Sequence, residues 1–134
     1  MLERSRGVVL LLVAGGLTHL AIGIAGLAFP RWFFNAAPPW PPMHVGQIQI
    51  AGVFDLALAA LFIGAARDLD RYLALAVFVG VVAELGHALV RIGHIVAGSN
   101  PPSDLILPLL MLSFAAILVL AGLRHRSLML RHAA

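Results

Sequence analysis

The sequence predicts an all-α integral membrane protein, a bundle of four transmembrane helices with both termini on the cytoplasmic side. Three observations lead there. Of the 134 residues, 61% are hydrophobic and only 11% charged, with a mean hydropathy of +0.99, which is far too apolar for a water-soluble domain of this length. The apolar residues fall into four runs, each long enough to cross about 30 Å of hydrocarbon at about 1.5 Å per residue. The breaks between runs hold Pro, Gly or clustered charge, and no composition shift, low-complexity tract or repeat marks a second domain. One compact bundle over 1–134 is therefore expected.

The first span is expected over 8–29. It is too long for the apolar region of a secretory signal and no small-x-small cleavage site follows it, so it is expected to stay in the protein. Gly15, His19, Gly23 and Gly26 share one face at about 100° per residue, where small residues admit a close neighbour. His19 should then point into the bundle. From Pro30 to Pro42 repeated prolines predict an interfacial loop, with Trp32 and Trp40 as anchors at the membrane surface.

The second span, 44–66, carries Asp55 at its centre, and His44, Gln47, Ala51 and Asp55 project within about 80° of one another. A short charged link, Arg67-Asp68-Leu69-Asp70-Arg71, leads directly into the third span, 72–96. There Gly80, Glu84, His87, Arg91 and His94 form a stripe about 80° wide, which is expected to be buried. The stretch from Gly98 to Pro102 ends that helix, with Ser103 or Asp104 as the expected cap of the fourth span, 104–123. Span four holds no ionisable group past its start and is expected to seal the bundle or to form a subunit contact.

Orientation follows from arginine, because the chain contains no lysine. The head, second loop and tail hold seven of the nine arginines, Arg31 alone lies in the first loop, and Arg91 lies within a span. The positive-inside rule then puts both termini in the cytoplasm. On that orientation the polar stripes of spans two and three predict a cleft that opens outward and ends at a mid-membrane layer. The basic balance is that of flanking anchors, and no nucleic-acid partner is implied.

An ionisable group at the bilayer centre costs roughly 3 kcal/mol on insertion scales, so it needs a partner, a ligand or water. His19, Asp55 and Glu84 each sit near the middle of a different apolar run. The absence of cysteine removes thiolate ligands and thiol nucleophiles. What remains is imidazole and carboxylate chemistry. Glu84-Leu85-Gly86-His87 is a Glu-x-x-His pair on one helix face, which with His19 and Asp55 makes a candidate cluster for a single transition metal. His19, His44, His87 or His94 is a candidate haem ligand. Asp55 and Glu84 are alternatively an acid and a base, with Arg91 tuning their charge. The plainest alternative is a set of internal pairs, Asp55 with His19 and Glu84 with Arg91, that fixes helix register.

The stretch Met43-His44-Val45-Gly46-Gln47-Ile48-Gln49-Ile50-Ala51-Gly52-Val53-Phe54-Asp55-Leu56-Ala57-Leu58-Ala59, with the later Gly86-His87-Ala88-Leu89-Val90-Arg91-Ile92-Gly93-His94, resembles bacterial DoxX-like four-span proteins. That resemblance implies a four-helix bundle in the bacterial plasma membrane. His44-Val45-Gly46 is also similar to the start of the second span in the styrene oxide isomerase family. That similarity implies haem b held by His44 and a homo-oligomer.

The expected function is thus a membrane enzyme that isomerises a small hydrophobic substrate entering from the lipid bilayer. Its catalytic groups would be Asp55, Glu84, His19 and Arg91, with His44, His87 and His94 as cofactor ligands and His19, Asp55, Glu84 and His87 as metal ligands. A proton- or ligand-handling transport module and an accessory subunit of a larger membrane complex are the competing expectations.

Overall fold

The structure is a computed structural model that describes residues 2–36 and 44–133, with side chains described for 6–36 and 44–127. Trp40 and the prolines from Pro38 to Pro42 lie outside the described residues, as do the side chains of Arg4, Arg131 and His132. Among the described residues every element is helical: α1 (Leu2–Ala28), α2 (Pro30–Ala36), α3 (Val45–Arg67), α4 (Leu69–Val96), a 3₁₀ turn (Pro102–Leu105) and α5 (Ile106–Ala133). Four segments are long and apolar enough to cross a membrane: Arg6–Ala28, Val45–Arg67, Leu69–Val96 and Pro102–Ser127. The four expected spans are all present. The chain is all-α, and its helices are those of a multi-pass membrane protein.

Two compact units divide the chain, Met1–Tyr72 and Leu73–Ala134. In the first, α1 and α3 pack against each other along most of their length. A Cβ placed on Gly16 would come 2.8 Å from the Ile63 side chain, one on Gly23 would come 2.9 Å from the Gly52 carbonyl oxygen, and one on Gly26 would come 3.3 Å from that of Ile48. As the α1 number rises the α3 number falls, so the two helices are antiparallel. Lipid tails are as apolar as leucine, so helices in a bilayer are held by close packing rather than by escape from water. Glycine lets the two backbones approach close enough for that packing. Val8, Leu12, Leu58, Ala59, Phe62 and Ala65 are buried in this unit, and the Gln49 amide donates to the Leu27 carbonyl at 3.4 Å, which gives one of the last α1 carbonyls a partner.

The segment expected to be a loop after the first span begins instead as a helix. Pro30 opens α2, and the hydrogen bonds Phe29 N–H to Ala25 O and Phe33 N–H to Phe29 O, both 2.9 Å, carry the helical pattern across the join. Proline disrupts a helix interior, but at the first position its missing N–H would have no partner anyway. Trp32, expected at the interface, is 64% exposed on α2.

The charged link between spans two and three contracts to one residue. Asp68 ends α3 and its carboxylate accepts the Arg71 N–H at 3.1 Å, so it also caps the start of α4.

In the second unit, Leu73, Ala76, Ala88, Ala115 and Leu118 are buried, and Val77 of α4 lies against Gly122 of α5. Helix α4 stops where expected. Gly98 takes φ 74°, Ser99 N–H donates to His94 O at 2.9 Å and Gly98 N–H to Ile95 O at 3.0 Å, the paired bonds of a Schellman ending. The expected cap from Ser103 or Asp104 does not form. Pro101 occupies the cap position of the 3₁₀ turn without a side-chain bond, and the Asp104 carboxylate instead accepts the Asn100 amide at 3.1 Å. Pro108, in the first turn of α5, is fully buried.

Many large apolar side chains face outward, as a lipid-facing protein requires. Phe54, Phe78, Leu110 and Leu120 are all more than half exposed. Hydroxyls on these helices turn back to their own backbone, Thr18 to Ala14 O at 2.9 Å and Ser113 to Leu109 O at 2.8 Å, so neither presents an unsatisfied donor to hydrocarbon.

The glycine contacts set a test. Gly52→Ala places a methyl group 2.9 Å from both Gly23 O and Leu27 N, and should destabilise the protein by roughly 1–3 kcal/mol, the usual cost of overpacking. Gly64→Ala and Gly93→Ala meet nothing within 4 Å and should leave the unfolding midpoint in detergent nearly unchanged. Equal midpoints for all three variants would show that α1 and α3 do not pack through Gly52.

Candidate functional site

The site is built where the close α1–α3 packing meets the two polar residues of that interface. His19 lies one turn from Gly16 and Gly23 on α1, and Asp55 lies among Gly52, Leu58, Ala59 and Phe62 on the buried face of α3. Glycine-permitted approach brings the two side chains to a hydrogen bond of 2.7 Å between His19 Nδ1 and Asp55 Oδ1. His19 is 6% exposed and Asp55 9%. With the carboxylate ionised it can only accept, and the bond is then His19 Nδ1–H donating to Asp55 Oδ1. A third residue completes the setting. The Phe62 ring, fully buried, stands with its centroid 5.5 Å from that of His19 at an interplanar angle of 50°.

The chemistry available to such a pair is specific. A carboxylate that holds Nδ1–H fixes the tautomer and the plane of the ring, which leaves Nε2 as the atom that takes or gives a proton. The same carboxylate stabilises the imidazolium once a proton has been taken. In a metal site this arrangement orients the ligating nitrogen.

The other expected site residues divide between buried and exposed positions. Glu84 is 5% exposed and shares the buried face of α4 with Leu73, Ala76, Gly80 and Ala88. Arg91 is half-buried, within electrostatic reach of Asp104. His87 and His94 are exposed, which corrects the expectation that the whole polar stripe of the third span is buried. The buried face of α4 follows Leu73, Ala76, Gly80, Glu84 and Ala88, and the two histidines stand at the margin of that face.

His44 and Gln47 are exposed as well, on the part of α3 that precedes the buried Asp55. Helix α1 ends at Ala28, and Gly26 already lies opposite Ile48, so the start of α3 has run past its partner. His44 caps α3 in an extended conformation without a side-chain hydrogen bond, and its ring lies against Gly46. Among the described residues no three His, Asp or Glu side chains come together as a group able to hold a metal ion.

The register pairing of His19 with Asp55 was legible as two ionisable residues in neighbouring apolar runs. Phe62 was not singled out, although it stands seven residues from Asp55 and so on the same helix face. Comparison of the chain with family models, with curated proteins and with solved structures finds no match. The functional reading therefore rests on the geometry.

Removing one member of a buried polar pair leaves the other without its partner. His19→Ala and Asp55→Ala should each lower stability by roughly 3 kcal/mol or more, and the double variant should lose clearly less than the sum, with a coupling of about 1 kcal/mol or above. Reversible unfolding in mixed micelles measures this cycle. Strict additivity would mean that the 2.7 Å contact carries no interaction energy.

Proposed function

We propose that this protein is a membrane-embedded acid/base catalyst that isomerises a small apolar molecule dissolved in the bilayer, with His19 as the proton-transferring group and Asp55 as the residue that orients and charges it. The observation that supports this most is the buried 2.7 Å His19–Asp55 pair between two helix faces whose other buried residues are glycine and apolar side chains. Imidazole exchanges protons near neutral pH. In an apolar, water-poor setting a carboxylate beside the ring strengthens it as a base and stabilises the cation that results. The reaction that fits is a proton removed from one carbon of the substrate and returned to another. It balances without an oxidant or a second substrate.

Glu84, also buried among the described residues, is proposed as an acid/base group on α4 in its own right, with Arg91, two turns further along the same helix, as its charge-balancing residue. The same reading places the protein in a bacterial plasma membrane as a homo-oligomer with both termini cytoplasmic, on the arginine distribution and on the resemblance of its second and third spans to bacterial four-span proteins. Haem or a single metal ion enters only if His44, His87 or His94 is a ligand. Their exposure leaves each accessible to one.

A second reading is favoured by the packing itself. The pair sits between glycine-packed helices, where a polar contact fixes register whether or not it moves protons.

Deuterium separates the two. Proteoliposomes supplied with the lipid-soluble extract of bacterial membranes in deuterated water should, with the native protein, yield an apolar species that has gained deuterium or changed isomer. His19→Gln and Asp55→Asn, shown to be folded by their elution from a sizing column, should lose that species by at least 100-fold, a typical acid/base contribution. Unchanged isotope profiles across native protein and both variants would leave the register role and remove the catalytic one. Glu84→Gln tests the second carboxyl in the same assay.

An absorption spectrum decides the cofactor. The acid/base reading expects no Soret band from protein purified in mild detergent. A band that disappears in His44→Ala would transfer the chemistry to that residue.

A further inference from the structure

On the flank of α1 that turns away from His19, Ala21, Ile24 and Ala25 together with Phe29 and Trp32 line an open hollow of about 470 Å³. Its lining is apolar throughout, and its volume is within the range of about 300–1,000 Å³ typical of small-molecule sites. Ala21 and Ala25, one turn apart, make a low floor because their side chains are a single methyl group. Ile24, Phe29 and Trp32 rise around them, exposed by 49%, 61% and 64%. From Ala21 to Phe29 the helix climbs about 12 Å, so the hollow is an elongated trough along the membrane-spanning direction. Its other end is the start of α2, and Trp32 there is of the residue type that favours the lipid headgroup level.

Charge at that end is one-sided. Arg31 adjoins Trp32 and is exposed, the first turn of α2 has no acidic residue, and the sequence contains no Asp or Glu from Arg4 to Phe54. An exposed arginine next in sequence to an indole that lines an apolar trough suits an anionic lipid, because arginine pairs with phosphate in a bidentate fork.

We propose that this trough is a binding site for one anionic phospholipid, with an acyl chain along Ala21, Ala25 and Phe29 and the phosphate at Arg31. The site is separate from the His19–Asp55 pair: Ile24 and Ala21 stand roughly 140–200° around α1 from His19. It stands or falls independently of the catalytic reading. A lipid held here fills the space that an apolar concavity would otherwise leave poorly packed, and fixes the depth of α2.

Trp32 is the built-in probe. The chain has two tryptophans, so Trp40→Phe makes Trp32 the only indole. Brominated lipid quenches tryptophan on contact, and the protein is reconstituted in phosphatidylcholine bilayers with rising fractions of brominated phosphatidylglycerol or brominated phosphatidylcholine. Half-maximal quenching is expected at a fraction at least threefold lower for the phosphatidylglycerol. Arg31→Gln should abolish that preference, and Ala21→Leu combined with Ala25→Leu, which raises the floor, should weaken quenching by both lipids. Equal half-points for the two lipids in the native background overturn the anionic assignment. Quenching that follows the bulk fraction of brominated lipid and ignores the floor substitutions overturns the site, leaving ordinary boundary lipid. Loss of quenching as the protein-to-lipid ratio rises also overturns it, because a second copy then covers the trough.

Discussion

A histidine and an aspartate cannot share a 2.7 Å hydrogen bond across two helices unless those helices come close, and in this protein that requirement organises the first 72 residues. Glycine at 16, 23, 26 and 52 removes the side chains that would hold the backbones apart. The polar contact in turn selects one register among those the smooth glycine faces allow. A slip of one residue would move either partner by about 1.5 Å along the axis and about 100° around it, which breaks the bond. Packing supplies proximity and the pair supplies specificity, and the same two helices hold the proton-transferring nitrogen in a fixed plane.

The ends of the helices show the same economy of parts. Asp68 closes α3 and caps α4, Gly98 ends α4 with a left-handed residue, and the Gln49 amide reaches the end of α1. Side chains facing outward are left to meet lipid, and α5, with Leu109, Leu110, Leu120 and Leu123 exposed, does so along much of its length.

Much of this was readable from residue order alone, because apolar run length reports a membrane helix directly. The four spans appear within a few residues of their expected limits at most ends, and the meeting of His19 with Asp55 follows from the cost of leaving either alone in lipid. What could not be read was rotation. Assigning the buried face of a helix by its polar residues works for Asp55 and Glu84, but fails for His87 and His94 on α4, where Leu73, Ala76, Gly80 and Ala88 mark the buried face. His44 is exposed because its neighbour α1 ends at Ala28, before reaching it. Pro30 misled because proline is a helix breaker everywhere except where a helix begins.

The two members of the buried pair are separated by only 36 residues, and both belong to the first compact unit. In a chain inserted from its N-terminus, Asp55 therefore enters the membrane with its partner already in the preceding long helix, ahead of α4 and α5. The most costly polar group of α3 need not wait for the rest of the chain to find shelter. Order of synthesis becomes part of how the polar site is tolerated: reversing the sequence order of the two halves would expose Asp55 and His19 to lipid no longer than now, but parting α1 from α3 with an inserted span would strand His19 until its carboxylate arrived.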